Sequence, residues 1–302
     1  MIKDRGFVLL NALVIVAAMS AAAVFVVAQS EAGRVRLSAA QTSDQLDQYL
    51  DGFEAYAMTV LMVDRTAVTT DDGDWRIDTQ SLDMDRGTVS GTLIDVERRF
   101  NLNWLAAGNA PGMVDVLSRA LAAVKARPQV VDLVAAAMSP GVPSNARAYL
   151  AFDPPLDPIG GQRTLSAELH DIAGLTPSDL DKLGQVATLA PPDSQLNINT
   201  ASIDVVAAFL PDLTRLQVAS VLSEREEEPF VSIDAFLGRV EEIQGSGLGN
   251  ELDLSRFSVR GAWFKLRASA TLEGYSARRE TLFERRGNGS LPRIAWRVTQ
   301  YP

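Results

Sequence analysis

The sequence predicts an α+β fold: one long N-terminal helix, an antiparallel sheet, and a large all-helical domain inserted into the sheet region. Three observations predict it. An uncharged apolar run near the start passes into an amphipathic repeat without a break. β-Branched, alternating segments lie near residues 75–96 and return after residue 257. Between them stand short apolar-periodic segments separated by Pro and Gly. Helices gathered between two groups of strands indicate an insertion into a sheet rather than alternating strand and helix units.

The first element starts with Phe7 to Ala28, FVLLNALVIVAAMSAAAVFVVA. These 22 residues hold no charge, Pro or Gly, and only Asn11 and Ser20 are polar. At about 1.5 Å per residue they span roughly 33 Å, enough to cross a bilayer core as a helix that satisfies its own backbone. Residues 29–63 contain no Pro, and Leu37, Ala40, Leu46, Leu50, Phe53, Ala57, Val60 and Leu61 recur at helical spacing among charged residues. One helix is therefore expected from about residue 7 to about residue 63, half apolar and half amphipathic. The polar stretch Thr66–Asp74 ends it.

Strands are expected at Trp75–Asp78 and Thr88–Val96, the second reading TVSGTLIDV. Helices are expected at Val114–Ala126, Val130–Met138, Ser166–Ala173, Pro177–Leu189, Ala201–Leu210, Leu213–Glu227 and Ser232–Val240, with a Pro- and Gly-rich loop from Ser139 to Gly161. Strands return at Phe257–Leu272, Ala277–Arg286 and Pro292–Thr299, with turns at Glu273-Gly274 and Gly287–Ser290.

Composition narrows the function. The chain has 302 residues and a net charge of −10, which opposes non-specific binding to nucleic acid or anionic lipid. It has no cysteine, so no disulfide and no thiolate chemistry, and His170 is its single histidine. Charge is unevenly placed. Residues 101–255 carry 9 Lys/Arg against 20 Asp/Glu, and residues 257–302 carry 9 Arg/Lys against 3 Glu. Two differently built parts share the chain. The basic end suits an acidic partner or a solvated sheet face.

No Gly-rich phosphate loop, nucleophile elbow or HExxH motif is present. The acid pairs Asp71/Asp72 and Asp179/Asp181 and the run Glu226–Glu228 lie in polar sequence and read as solvated faces or helix ends. Glu224 and Arg225 read as an exposed helix end, and His170, beside Asp171, as a surface histidine. The sequence does not predict an enzyme.

Residues 1–28 admit three readings. A cleaved secretory signal would use the small residues Ala21–Ala23. A plain anchor would keep the N-terminus in the cytoplasm through Lys3 and Arg5. The third reading rests on the boundary, where the short polar leader MIKDRG gives way abruptly to the apolar run at Phe7. This boundary resembles the leader of type IV pilins and type II secretion pseudopilins. The resemblance implies cleavage after Gly6 by a prepilin peptidase and methylation of the new N-terminal amine of Phe7. Asn11 would then stand at mature position five, where most pilins have a glutamate that compensates a neighbour's amine in an apolar core. Asn11 suits a tolerated polar residue in a membrane helix, or a subunit with no neighbour ahead of it.

Three further passages narrow the resemblance. DVERRFNLNWL (95–105), AELHDIAGL (167–175) and LNINTASIDVVAAFLPDLTRLQVASVLSEREEEPFVSIDAFLGRV (196–240) resemble, in the right order, passages of the K-type minor pseudopilin family of type II secretion. The strands after Phe257 have that family's character too. The resemblance implies a pilin-like fold divided into a leader at 1–6, a transmembrane helix half at 7–28, a periplasmic helix half with the first strands at 29–100, an inserted helical domain at 101–255, and C-terminal strands at 256–302. It implies a subunit that caps or initiates the pseudopilus with I- and J-type minor pseudopilins. Such a subunit is anchored in the bacterial inner membrane by one pass, its C-terminal domain in the periplasm. Family members also tend to lack the glutamate at mature position five, which makes Asn11 an expected departure.

Within these passages Phe100, Leu102, Trp104 and Leu105 read as apolar anchors where sheet gives way to insertion. Asn101 and Asn103 read as turn residues bonded to local backbone. In the second motif, Asn197, Asn199, Thr200 and Ala201, either Asn199 or Thr200 suits an N-cap for a helix beginning near Ala201. Structural roles are expected for all of them.

The family can bind calcium through an acidic cluster in the insertion. The corresponding stretch here, residues 130–150, has Asp132 as its only acid, with Asp153 and Asp157 nearby. Calcium requires six to eight oxygens, so no metal site and no cofactor are expected. The passage at 196–240 also resembles the helix-hairpin-helix of membrane-anchored, competence-type DNA receptors. Here the turn reads Leu210-Pro211-Asp212-Leu213, without glycine, and residues 197–240 carry 3 Arg against 7 acids. That surface repels DNA, and no nucleic-acid partner is expected.

Overall fold

The computed structural model describes residues 3–106, 112–244, 253–287 and 289–301. Helix α1, Lys3–Val63, runs 61 residues without interruption, about 90 Å at 1.5 Å per residue. Residues 10 to 41 are all exposed, whereas Leu46, Leu50, Phe53, Ala57 and Leu61 are buried. Those five recur every three or four residues and form one stripe. The stripe packs on a sheet, and among the described residues nothing packs on the exposed half.

The sheet contains β1 (Ile77–Met84), β2 (Gly87–Asp95), β7 (Trp263–Leu272), β8 (Tyr275–Glu284) and β9 (Arg293–Gln300), in that spatial order and antiparallel throughout. β2 and β7 pair without a slip from Gly87↔Leu272 to Asp95↔Phe264, although the whole helical block separates them in sequence. Alternation on β7 turns Phe264, Leu266, Ala268 and Ala270 toward α1, where they join Val89, Leu93 and Phe283 in one core. Lys265, Arg267 and Ser269 therefore face the other side. The β7–β8 hairpin turns at Glu273 (φ 49°) and Gly274 (φ 89°), two left-handed residues matching the twist of the flanking strands.

The first strand differs from expectation. Trp75 lies before it, donating its indole N–H to Thr70 O at 2.9 Å, and the strand runs on to Met84. IDTQSLDM is an edge strand with one open side, so its sequence alternates only weakly.

Between β2 and β7 the chain builds α2 (Met113–Ala123), α3 (Gln129–Met138), α4 (Pro177–Val186), α5 (Ile203–Phe209), α6 (Arg215–Ser223) and α7 (Ile233–Gln244). Two short parallel pairs join them: β3 (Phe100–Asn101) with β4 (Ala187–Thr188), and β5 (Leu196–Asn197) with β6 (Phe257–Ser258). The block has its own core, in which Phe100, Trp104, Phe209 and Phe257 make a chain of ring contacts at 5.1–6.3 Å. Side chains cap its helices: Thr176 with Asp179 on α4, Ser202 on α5, and Thr214 with Gln217 on α6.

Three expected helices change. Ser166–Asp171 is a 3-10 turn, a segment too short to nucleate an α-helix and stopped by Gly174 at φ 94°. The helix expected over 213–227 ends at Ser223 and tightens into a 3-10 turn at Glu224–Glu226, because acids crowd the end where the dipole disfavours them and Pro229 follows. The helix near Ala201 starts at Ile203.

The pairing of α1 with β8 fixes the poles of the molecule. Asp51 of α1 meets Arg279, Glu54 meets Thr281 at 2.7 Å, and Asp64, just past the helix, meets Arg285. Helix and strand thus run the same way, and the helical block joins the sheet at the C-terminal end of α1. The exposed apolar half and the inserted block lie at opposite ends of one helix.

Candidate functional site

The polar residues singled out in the two motifs meet at the joint between sheet and insertion. Asp95, the last residue of β2, is buried at 1 % exposure. Its Oδ1 accepts from Glu97 N at 2.8 Å, and its Oδ2 accepts from Asn197 Nδ2 at 2.9 Å and Thr200 Oγ1 at 2.8 Å. Glu97, also buried, accepts from the backbone N–H groups of Gln195, Ala262 and Trp263, tying the departing chain to the returning one. Gly261 makes room for this joint, since a Cβ there would lie 3.0 Å from Asp95 Oδ2.

Burial pushes the Asp95 carboxyl upward against the pull of its donors. Burial first, then the nearby Asp95 charge, pushes Glu97 up to about 8. Beside them Arg285 pairs with Asp64 at 2.6 Å, both side chains 1 % exposed, and also donates to Gly261 O and Thr69 Oγ1. The joint is a desolvated polar cluster in which each group has a partner.

The asparagines do more than turn the chain. Asn101 Oδ1 accepts from Asn103 N at 3.0 Å, the expected local bond. It also accepts from Ala190 N, while Nδ2 donates to Pro191 O and Ser194 Oγ. Asn103 exchanges a pair of bonds with the Arg163 backbone and donates to Ala190 O. Asn197 repeats the pattern of Asn101: its Oδ1 accepts from Asn199 N at 3.1 Å, and its Nδ2 reaches Thr69 O and Asp95. Asn199 bonds both N–H and C=O of Phe230 and donates to Val259 O. FNLN and LNIN are thus one device used twice, an Asn-x-Asn after a short parallel strand.

The expected N-cap at Asn199 or Thr200 is therefore corrected: Ser202 caps α5, accepting from Val205 N, while Asn199 and Thr200 are committed to the joint. Ala201, Phe100, Leu102 and Trp104 are buried, and Leu105 is half-buried against the same core. Arg225, expected as an exposed helix end, is half-buried and donates to Ile198 O. His170 is exposed.

Asn11 lies exposed on α1 among Leu10, Leu13 and Val14. Gly6 and Phe7 belong to the same helix, and their side chains lie outside the described residues. Leu10–Val63 is long and apolar enough to cross a membrane, with its apolar window entirely unburied, which fits single-pass anchoring. The basic C-terminal strands turn partly inward: Arg279 meets Asp47 and Asp51, and Arg297 meets Glu54, so α1 supplies several of their counter-charges. Among the described residues no group of three or more His, Cys, Asp or Glu gathers as a metal site.

Residues 196–260 match the family model described as type II secretion system (T2SS), protein K. That segment holds the second Asn-x-Asn device, helices α5 to α7 and the return to the sheet. The fold of the chain is also that of a solved chain in "The Crystal Structure of the GspK-GspI-GspJ complex from enterotoxigenic Escherichia coli Type 2 Secretion System". The TM-score is 0.74 at 19% identity, over 88% of this chain and 99% of that one. Over residues 196–260, about a fifth of the chain, the sequence is similar to the K-type minor pseudopilins of type II secretion. At this identity the structural match speaks for the fold. No curated protein matches the chain.

Proposed function

We propose that this chain caps or initiates the pseudopilus of a type II secretion system, acting at its tip with I- and J-type minor pseudopilins. One observation carries the reading: the unpartnered apolar half of α1 and the bulky helical block stand at opposite ends of the same helix. A helix exposed from residue 10 to residue 41 suits burial in a membrane first and among neighbouring helices later. A block added at the far end leaves no room for a further subunit above it. The GspK-GspI-GspJ complex named by the structural match supports the choice of partners.

In this reading residues 1–6 are a leader that a prepilin peptidase removes after Gly6, and Phe7 becomes the methylated N-terminus. Residues 7–28 hold the protein in the inner membrane, with the rest of the chain in the periplasm. Residues 29–100 and 256–302 form the pilin-like part, and residues 101–255 the cap. Asn11 at mature position five leaves no charge to neutralise a neighbour's amine, as suits a subunit with none ahead of it. The role is scaffolding, without catalysis.

Intact-mass measurement of the full chain expressed with and without a prepilin peptidase tests the class. Loss of Met1–Gly6 with a methyl group on Phe7 supports it; an unprocessed chain, or cleavage near Ala23 or Ala28, overturns it. Deletion of residues 109–255 tests the cap. Secretion and pseudopilus length are expected to change, and the capping role fails if both stay as they were.

A further inference from the structure

The sheet face turned away from α1 gathers three cations, Arg99, Lys265 and Arg267, around one carboxylate, Glu280. Arg99, just after β2, is half-buried, and among the described residues no carboxylate lies within ion-pair reach of it. Lys265 on β7 is 2 % exposed, and its ammonium has one hydrogen-bond partner there, Ser166 Oγ at 3.4 Å, with the Trp296 ring 5.6 Å away. Arg267 lies two residues along the same face and is held by Glu280 at 3.0 Å. Burial lowers the pKa of both Arg99 and Lys265; Arg98 and Arg267 lower Arg99 further, while Glu280 pulls Lys265 part of the way back up against Arg267 and Arg99. Buried cations gathered without matching anions are costly, and a chain of net charge −10 does not gather them by composition.

These groups line a cavity. The 3-10 turn Ser166–Asp171 and helix α4 lean over this face and enclose about 480 Å³ between themselves and the sheet, with Arg99, Lys265 and Arg267 on one wall and Leu169, Leu180 and Leu183 among the others. A second cavity of about 500 Å³ continues along the outer face and shares Ser166 and Arg267 with the first. It adds Arg278, exposed on β8, and the hydroxyls of Ser90 and Thr92. The acids on the two walls are Asp181 and Glu280, and Glu280 is already engaged by Arg267.

We propose that this cleft is a docking site for an acidic, extended segment of another protein, whose carboxylates answer Arg99, Lys265 and Arg267 and whose apolar side chains lie against Leu169 and Leu180. Two cavities in series give the cleft a length that one inorganic anion does not fill, and the leucines on its wall suit alternating acidic and apolar side chains. A guanidinium and an ammonium waiting in a desolvated cleft bind carboxylates through charge-assisted hydrogen bonds. The site is separate from the apolar half of α1 and does not depend on the capping role.

The test is fluorescence anisotropy with the full chain in detergent and a short fluorescein-labelled peptide alternating Glu and Leu, beside the same peptide with Gln for Glu. Saturable binding of the acidic peptide is expected, weakening as salt rises, with the Gln peptide bound at least about tenfold less tightly. Arg99→Gln and Lys265→Met are each expected to weaken the acidic peptide by about tenfold or more. Without peptide, both variants should melt no lower than the wild type, since each removes a buried charge that makes no direct ion pair among the described residues. Equal binding of the two peptides, or no binding, overturns the proposal. So does complete displacement by millimolar inorganic phosphate, which would make this a small-anion site. A lower melting temperature in both variants also overturns it, because the cations would then be serving the fold.

Discussion

Asn197 Nδ2 donates to Asp95 Oδ2 across 2.9 Å and to Thr69 O across 3.1 Å, so one amide joins the insertion, the sheet and the segment after α1. Its Oδ1 holds the turn to Asn199. Replacement by alanine would leave Thr69 O and Asn199 N buried without those partners and remove a donor from Asp95. Buried groups left unpaired cost about 1–3 kcal/mol each, so Asn197→Ala is expected to destabilise the protein by about 3 kcal/mol. Urea unfolding checks this, with Trp104 reporting on the insertion and Trp75 on the sheet. If the midpoint stays unchanged, the joint is not held by this residue.

Glu97 gives the joint a pH dependence of definite sign. Its carboxyl is raised from 4.5 to about 8 by burial and by Asp95, so the folded protein holds a proton that the unfolded chain releases. The stabilisation from that proton is complete below about pH 4.5 and is lost as pH rises toward about 8. Asp95 shifts the same way and adds to the slope. The urea midpoint should therefore fall between pH 5 and pH 8, a window taken from the Glu97 shift. Glu97→Gln should flatten the fall, because the amide does not titrate. It should also lower the acid-side midpoint, since its N–H₂ faces backbone donors. A variant with the wild-type slope would assign the pH dependence elsewhere.

The long helix and the strands of the sheet other than β1 were legible because α1 buries one regular stripe and the sequences of β2 and β7 alternate apolar with polar residues. The helical block was legible in outline through Val116, Leu117, Ala120 and Leu121 on α2 and their counterparts on later helices. The joint was not. Asn101 and Asn103 read as local turn residues and Asn199 as an N-cap, because an amide's partners about 30 to 130 positions away leave no periodic trace. One signal was available: FNLN and LNIN share the Asn-x-Asn spacing, and both first asparagines accept from the second. Lys265 and Arg99 were invisible as a pair, since their proximity depends on how the insertion leans over the sheet.

Gly91 on β2 lies directly under Phe53 of α1. A Cβ there would lie 2.5 Å from Phe53 Cε1 and 2.8 Å from Arg267 O. Gly91→Ala is expected to push the helix outward and cost about 1–3 kcal/mol, as overpacking does. Phe53→Leu removes the ring that meets the new methyl group, so the double variant should be less destabilised than the two single losses summed. A double-mutant cycle measures the difference. Strict additivity would mean that the strain falls on the Arg267 carbonyl alone.

Asp64 and Arg285 fix the end of α1 against the start of β7. Both side chains are 1 % exposed at 2.6 Å, and Arg285 also binds Thr69 and the Gly261 carbonyl while lying 4.8 Å from the Phe264 ring. Breaking a buried pair from one side leaves the other charge uncompensated, which costs about 3–5 kcal/mol. Asp64→Ala is therefore expected to lose that much, more than Asp51→Ala, whose side chain is 59 % exposed. Replacing both partners, Asp64→Leu with Arg285→Met, removes the stranded charge but leaves Gly261 O and Thr69 without their donor. The double variant should recover part of the loss and not all of it. Chemical denaturation of Asp64→Ala, Asp51→Ala, the singles Asp64→Leu and Arg285→Met and their double under one set of conditions decides the matter, and a double variant at least as unstable as the summed singles would show that the pair is not coupled.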